Sequence, residues 1–309
     1  MTSWPALPYE QWRETRDTLH MYTQVIGKLR LALCPFEPEW GHVPLYVTAR
    51  GLTTTPMPVG ERALEAEFDL IAHELTLRTS SGEVERRPLG GDVADFYRDV
   101  QALLRALHIE VSISPVPSEV ESPIPFPEDR THCTYDGEHA TRFFKALSMA
   151  DLVMKEHRAR FRGRTTPAHF FWGTFDLALT RYSGRAIVPR PGAGIIERVG
   201  GDAEAICAGW WPGDERNRQA AFYAYAYPPP DGLERIPLQP ATAAWSPDAR
   251  EFLLPYDAVR SAPEPRVAIL DFLGSTYVGS AKLLGWDEHL TEVSAVPGDQ
   301  LPGLGDDLS

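Results

Sequence analysis

The 309-residue sequence predicts an α+β fold of two similar halves, each running helix, antiparallel strands, helix, packed as one compact unit. Three observations predict it. Helical and strand periods come in blocks, and the strands are mostly neighbours in sequence, as antiparallel sheets require. A proline-studded stretch, SPVPSEVESPIPFPEDR at 114–130, divides the chain. The block order then repeats: from helix start to a strand-opening histidine takes 33 residues in one half (9 to 42) and 31 in the other (138 to 169). That repeat suggests an old duplication. The expected organisation is an N-terminal half at 1–113, a linker at 114–130, a C-terminal half at 131–290 and a disordered tail at 291–309.

A first helix is predicted over about 8–33, because Trp12, Leu19, Tyr22, Ile26, Leu29 and Leu33 recur on one face and Pro35 ends it. HVPLYVTARGL reads as a strand, and EAEFDLI and ELTLRTS as a hairpin joined by the short break AHE. A helix over about 92–107 places Val93, Phe96, Val100, Leu103 and Leu107 together, and IEVSIS reads as a short strand. Pro115, Pro117, Pro123, Pro125 and Pro127 forbid a helix in the linker and favour an extended run. Beyond it, Asp136 suits an N-cap for a helix over about 138–162. Strands follow at 169–181, EAICAGWW, AAFYAYAYP and EFLLPYDAV, and a last helix spans about 265–284.

Bulk properties exclude some functions. A net charge of −13 offers no basic field to collect phosphates, which argues against nucleic acid and anionic membrane as partners. No run approaches the roughly 18–20 apolar residues a membrane helix needs, and MTSWPALPYE lacks the basic and apolar regions of a signal peptide. Cys34, Cys133 and Cys207 are an odd, scattered set, which fits a reducing cytoplasm and no disulfide framework. HExxH, GxSxG and GxxxxGK[ST] are absent, and PGAGIIERVGG lacks the third glycine and the leading strand of a dinucleotide loop. No organic cofactor and no metal is expected.

Candidate site residues come from polar side chains on strand faces. Read as one continuous strand, 169–181 puts Phe170, Trp172, Thr174, Asp176 and Thr180 on one face, with His169 and Arg181 at the ends of the other. In 42–50 the corresponding face shows His42, Tyr46, Thr48 and Arg50. A solvated sheet face has the same pattern, but its recurrence in matching places favours a site. In AAFYAYAYP, Tyr223, Tyr225 and Tyr227 share a face that forms either cross-strand packing or a flat aromatic platform with polar tips. His20, Gln24 and Lys28 make an i, i+4, i+8 stripe that is either the wet side of the first helix or a ligand contact. His132, with Asp129 and Tyr135, lies on a loop, where turn chemistry and function are equally at home.

The segments WPALPYEQW, TLHMYTQVIGKLRLAL, HVPLYVTARGLTT, DRTHCTYD, HFFWGTFDLALTRYSG, AFYAYAYP and FLLPYDAVR together resemble a bacterial family known as a conserved domain of unknown function. The resemblance spans about Trp4 to Trp286 and implies a free-standing cytoplasmic protein of this length, with no reaction or site residue to carry over. From the residues themselves, the expected function is a cofactor-independent small-molecule enzyme with an aromatic-lined pocket between the halves. Asp176, with His169 or His132, would move protons. Trp172, Tyr223, Tyr225, His42, Tyr46, His20 and Gln24 would line the pocket, and Arg181, Arg50 or Lys28 would hold an anionic group of the ligand. The alternatives are a metal-dependent enzyme using His42, His132, His169 and Asp176, or a non-catalytic module that binds a small molecule or a protein. Oligomeric state is open.

Overall fold

A computed structural model describes residues 4–290, so the expected tail at 291–309 lies outside the described residues. Helix α1 (Tyr9–Leu33) runs through the centre of the molecule. Every residue from Thr18 to Arg30 is buried, the polar ones included. An amphipathic surface helix buries one stripe; α1 is enclosed because other chain segments cover its polar side as well.

The first sheet is antiparallel and six-stranded: β1 (Tyr46–Val47), β2 (Gly51–Thr53), β3 (Met57–Val59), β4 (Arg62–Asp69), β5 (Glu74–Thr79) and β6 (Val84–Pro88). Its order is β1-β2-β4-β5-β6, with β3 against β4. Leu64, Ala66 and Phe68 of β4 pair with Thr79, Leu77 and Leu75 of β5 and face the core, while Glu65 and Glu67 alternate outward beside Arg78. Helix α2 (Val93–Ala106) follows, capped by the Asp92 carboxylate accepting from the Asp95 N–H.

Helix α3 (Gly137–Ala159) opens the second half, with Asp136 accepting from the N–H groups of Glu138 and His139 as the sequence predicts. The second sheet has the order β11-β12-β10-β9-β8-β7. Its strands are β7 (His169–Phe171), β8 (Asp176–Ala186), β9 (Ala203–Trp211), β10 (Ala221–Tyr227), β11 (Ala244–Ser246) and β12 (Glu251–Pro255), with a short helix α4 (Ile195–Gly200) between β8 and β9. One face is apolar: Leu177 and Leu179, Ala208 and Trp210, Phe222 and Ala224, Phe252 and Leu254. Helices α3, α5 (Tyr256–Ser261) and α6 (Pro265–Leu284) pack on this sheet. By length and composition α6 is apolar enough to cross a membrane; here Ile269, Phe272, Leu273 and Tyr277 are buried in the fold.

The two sheets meet edge to edge. Leu45 and Phe170 exchange both backbone hydrogen bonds at 2.9 Å, joining the segment just before β1 to β7. One core serves both halves, with Phe68 and Phe96 from the first continuous with Phe143, Phe170 and Trp210 from the second.

The structure corrects several sequence readings. The stretch 42–52 is not one strand: β1 and β2 are arms of a hairpin that turns at 48–50. IEVSIS pairs with no strand. The stretch 169–181 is likewise a hairpin, turned at 172–175. Both halves contribute a six-stranded antiparallel sheet, but the strand orders differ.

Candidate functional site

The β7–β8 hairpin fixes the site. Its four-residue turn, Trp172 to Phe175, ends with Phe175 in the left-handed region at φ 59°. The turn resets the phase of the alternation. Phe170 lies opposite Leu177 on the core face, while Phe171 lies opposite Asp176. The sequence reading that grouped Phe170 and Trp172 with Asp176 is therefore wrong, because a period of two does not survive a hairpin turn.

Asp176 opens β8 on the face away from the helices. It is 8% exposed. Two hydroxyls donate to its carboxylate, Thr174 Oγ1 to Oδ1 and Tyr223 Oη to Oδ2. Burial pushes its pKa up, against the lowering effect of those two hydrogen bonds. Tyr223 reaches Asp176 by crossing β9 over Gly209, where a Cβ would collide with the tyrosine hydroxyl. Tyr225 lies parallel to Tyr223, with ring centroids 6.4 Å apart. It sits opposite Cys207, whose thiol burial pushes up to about 11.

Asp176 acts on two further carboxyls. Glu251 heads β12, and the register that pairs Ala224 with Phe252 brings it beside Tyr225. Burial, and then the Asp176 charge, push Glu251 up to about 7. Glu119 comes from the proline-rich segment, in the left-handed region at φ 58°, with its carboxyl against Gly173. Burial and Asp176 raise it too. No basic group contributes to the shift of any of the three. The arrangement is chemically specific: a buried Asp176 charge raises Glu119 and Glu251, and Glu251 is held protonated to about 7.

The Ser118–Glu119 segment is held by α1. Gln24 clamps the Ser118 backbone, its Nε2 donating to the carbonyl at 2.7 Å and its Oε1 accepting from the N–H at 2.9 Å. Lys28 Nζ donates to Ser118 Oγ at 2.8 Å and lies over the Trp172 ring. His20 Nε2 lies 3.0 Å from the carbonyl oxygens of both Trp172 and Gly173, which assigns the proton to Nε2. Burial holds His20 near 3 and neutral. Trp172 presses its ring against Gly27 and donates to the Val43 carbonyl at 2.9 Å. A stripe read as either wet or ligand-lined is a buried scaffold that presents Glu119 and the 172–175 turn.

A family model matches residues 4–293. The chain belongs to DUF5996, a family of unknown function. No curated protein and no solved structure matches it.

In this DUF5996 chain the sequence-predicted residues divide into groups. Asp176, Tyr223 and Tyr225 come together. His169 shares the Asp176 face, opposite Ala178 and so diagonal to Asp176. Its ring packs edge-on to Tyr46, itself under the Arg30 guanidinium, and burial holds it near 4. His20, Gln24, Lys28 and Trp172 stand behind the site. His132 belongs elsewhere: its Nδ1 bonds Asp129 Oδ2 at 2.7 Å, which raises its pKa. His42 bonds the Glu37 backbone in the loop after α1. Arg50 pairs with Asp69 at 2.5 Å. Arg181 points into the helix-covered face, donating to the His157 carbonyl between the rings of Phe161 and Tyr277. Thus the three cations expected to hold an anionic ligand group are all engaged away from Asp176. Among the described residues no group of three His, Cys, Asp or Glu is arranged to hold a metal ion. Two surface hollows of about 380 and 330 Å³ are lined by residues other than these.

Sequence reasoning missed Glu119 and Glu251. Glu251 had a usable signal, heading EFLLP at the end of an alternating strand. Glu119 had none, because nothing in a proline-rich segment says which residue turns inward.

Proposed function

We propose that this chain is a cytoplasmic, cofactor-independent enzyme that performs acid–base chemistry on a small molecule, with Asp176 as the proton-transferring group and no membrane or nucleic-acid partner. Support comes from one observation above all: Asp176 is buried, accepts two hydroxyls, and is flanked by Glu119 and Glu251 with no counter-cation. Such a carboxyl, raised by burial and with no cation beside it, is suited to give and take a proton. Tyr223 relays the proton, and Tyr225 supplies a flat apolar surface for the ligand. With Arg50, Arg181 and Lys28 engaged elsewhere, the fitting substrate is neutral or cationic. His169, neutral and diagonal to Asp176, is the second proton carrier; His132 is not.

The test begins by identifying metabolites retained by the purified protein and assaying their turnover. Asp176→Asn, with its fold verified, is expected to lower the rate by about 10²- to 10⁴-fold. Unchanged turnover removes Asp176 from the chemistry. A second reading, a non-catalytic binding module, is favoured by the half-buried openness of Tyr223, Tyr225 and Tyr227. Under it, a retained ligand leaves chemically unaltered and Asp176→Asn changes affinity alone.

A further inference from the structure

A second group of polar side chains lies on the other face of the second sheet, under α6. Arg181 is 3% exposed and has no carboxylate within salt-bridge distance among the described residues. Its guanidinium is stacked between the rings of Tyr277 and Phe161, 4.4 and 5.0 Å from their centroids. One nitrogen serves the His157 carbonyl, which satisfies a donor but not a charge. Glu204 on β9 turns its Oε2 to Arg185 at 3.4 Å, and its Oε1 is buried and unpartnered.

Around this cation several buried polar groups have no partner among the described residues. Arg181 Nε, Tyr277 Oη, Ser280 Oγ and Trp286 Nε1 are all buried and unpartnered. Tyr277 and Ser280 are three residues apart on α6, both buried, and so share its inner face. Trp286 follows the left-handed Gly285 that ends α6, and its ring packs on both Tyr277 and Phe161. Buried donors in folded proteins almost always find an acceptor, and a buried cation finds a countercharge. Here two N–H donors, one of them cationic, and the Tyr277 hydroxyl lie on residues packed around each other within aromatic walls, with the Ser280 hydroxyl on the same helix face.

We infer that Arg181, Tyr277, Ser280 and Trp286 form a binding site for a small, weakly hydrated anion of the halide class. The donor set is complete for such an ion: N–H and O–H groups with one formal positive charge. The aromatic walls disfavour a strongly hydrated anion such as phosphate. The site is separate from Asp176, being on the opposite face of the sheet, and its role is to neutralise Arg181 and tie α6 to β8.

Bromide is the probe. In crystals of the full chain grown with sodium bromide, an anomalous peak is expected within hydrogen-bond distance of Arg181 Nε and the Tyr277 hydroxyl. In solution, replacing gluconate by bromide at fixed ionic strength is expected to raise the thermal midpoint by about 2–4 °C. The double variant Tyr277→Phe/Ser280→Ala is expected to lose that rise. No anomalous density at the cluster, or ordered water alone, overturns the assignment whatever the midpoint does. If the double variant fails to fold, the wild-type peak decides.

Discussion

Gly209 determines where the Tyr223 hydroxyl goes. It lies between the two strands that carry the acid and the phenol, and any Cβ there would strike both the Leu177 carbonyl oxygen and the Tyr223 hydroxyl. Gly209→Ala is therefore expected to cost about 1–3 kcal/mol, as other overpacking substitutions do, and to swing Tyr223 off Asp176. Urea unfolding measures the loss; an unchanged midpoint would mean that the ring does not need the space. The glycine was visible in EAICAGWW, but its purpose was not. A glycine in a strand signals close approach without saying by what, and only the pairing of Gly209 with Tyr223 supplies the answer.

Helix α1 shows how much an element can carry beyond its own period. Its apolar positions were legible because they recur every three or four residues, and the stripe of His20, Gln24 and Lys28 was legible for the same reason. Their destination was not, because Ser118 lies 94 residues from Gln24 in a segment without periodicity. The contact turns a linker into a wall of the site. Replacing Gln24 by Leu removes both bonds to the Ser118 backbone, each contributing about 1 kcal/mol. The Ser118 amide is then expected to exchange with solvent about 10- to 30-fold faster while amides in the β4–β5 pair stay unchanged. Equal exchange in both proteins would show that the clamp holds nothing.

Across the fold, the longer strands β4, β5, β9, β10 and β12 and the closing helix were legible, since apolar alternation and capping residues such as Asp136 mark elements locally, whereas the short β3, β6 and β11 were not read and IEVSIS was read as a strand it does not form. The two hairpins read as single strands were not legible either: WGTF and TAR carry no strong turn signature, and each reversal exchanged the faces of every later residue. Asp176 was chosen for its residue type on an amphipathic strand, and the neighbours first assigned to it, Phe170 and Trp172, belong to the core and to α1. Its true neighbours arrive from three distant segments. Burial and the Asp176 charge acting on Glu251 have a consequence for stability. Glu251 keeps its proton up to about 7 in the fold but releases it at the ordinary carboxyl value once unfolded. Its contribution is thus fully present below about 4.5 and is lost as pH rises through about 7. Glu251→Gln is spared that loss, a gain of about 2 kcal/mol at pH 8 after allowance for partial solvent contact.

Carboxyl titration by carbon NMR, with Asp176, Glu119 and Glu251 each assigned by substitution, bears on all of this at once. The geometry predicts titrations raised above the ordinary value for all three, one of them near 7 and abolished by Glu251→Gln, with Glu119 and Glu251 falling when the Asp176 charge is removed by Asp176→Asn. Three independent titrations at ordinary carboxyl values, indifferent to substitution of their neighbours, would contradict it.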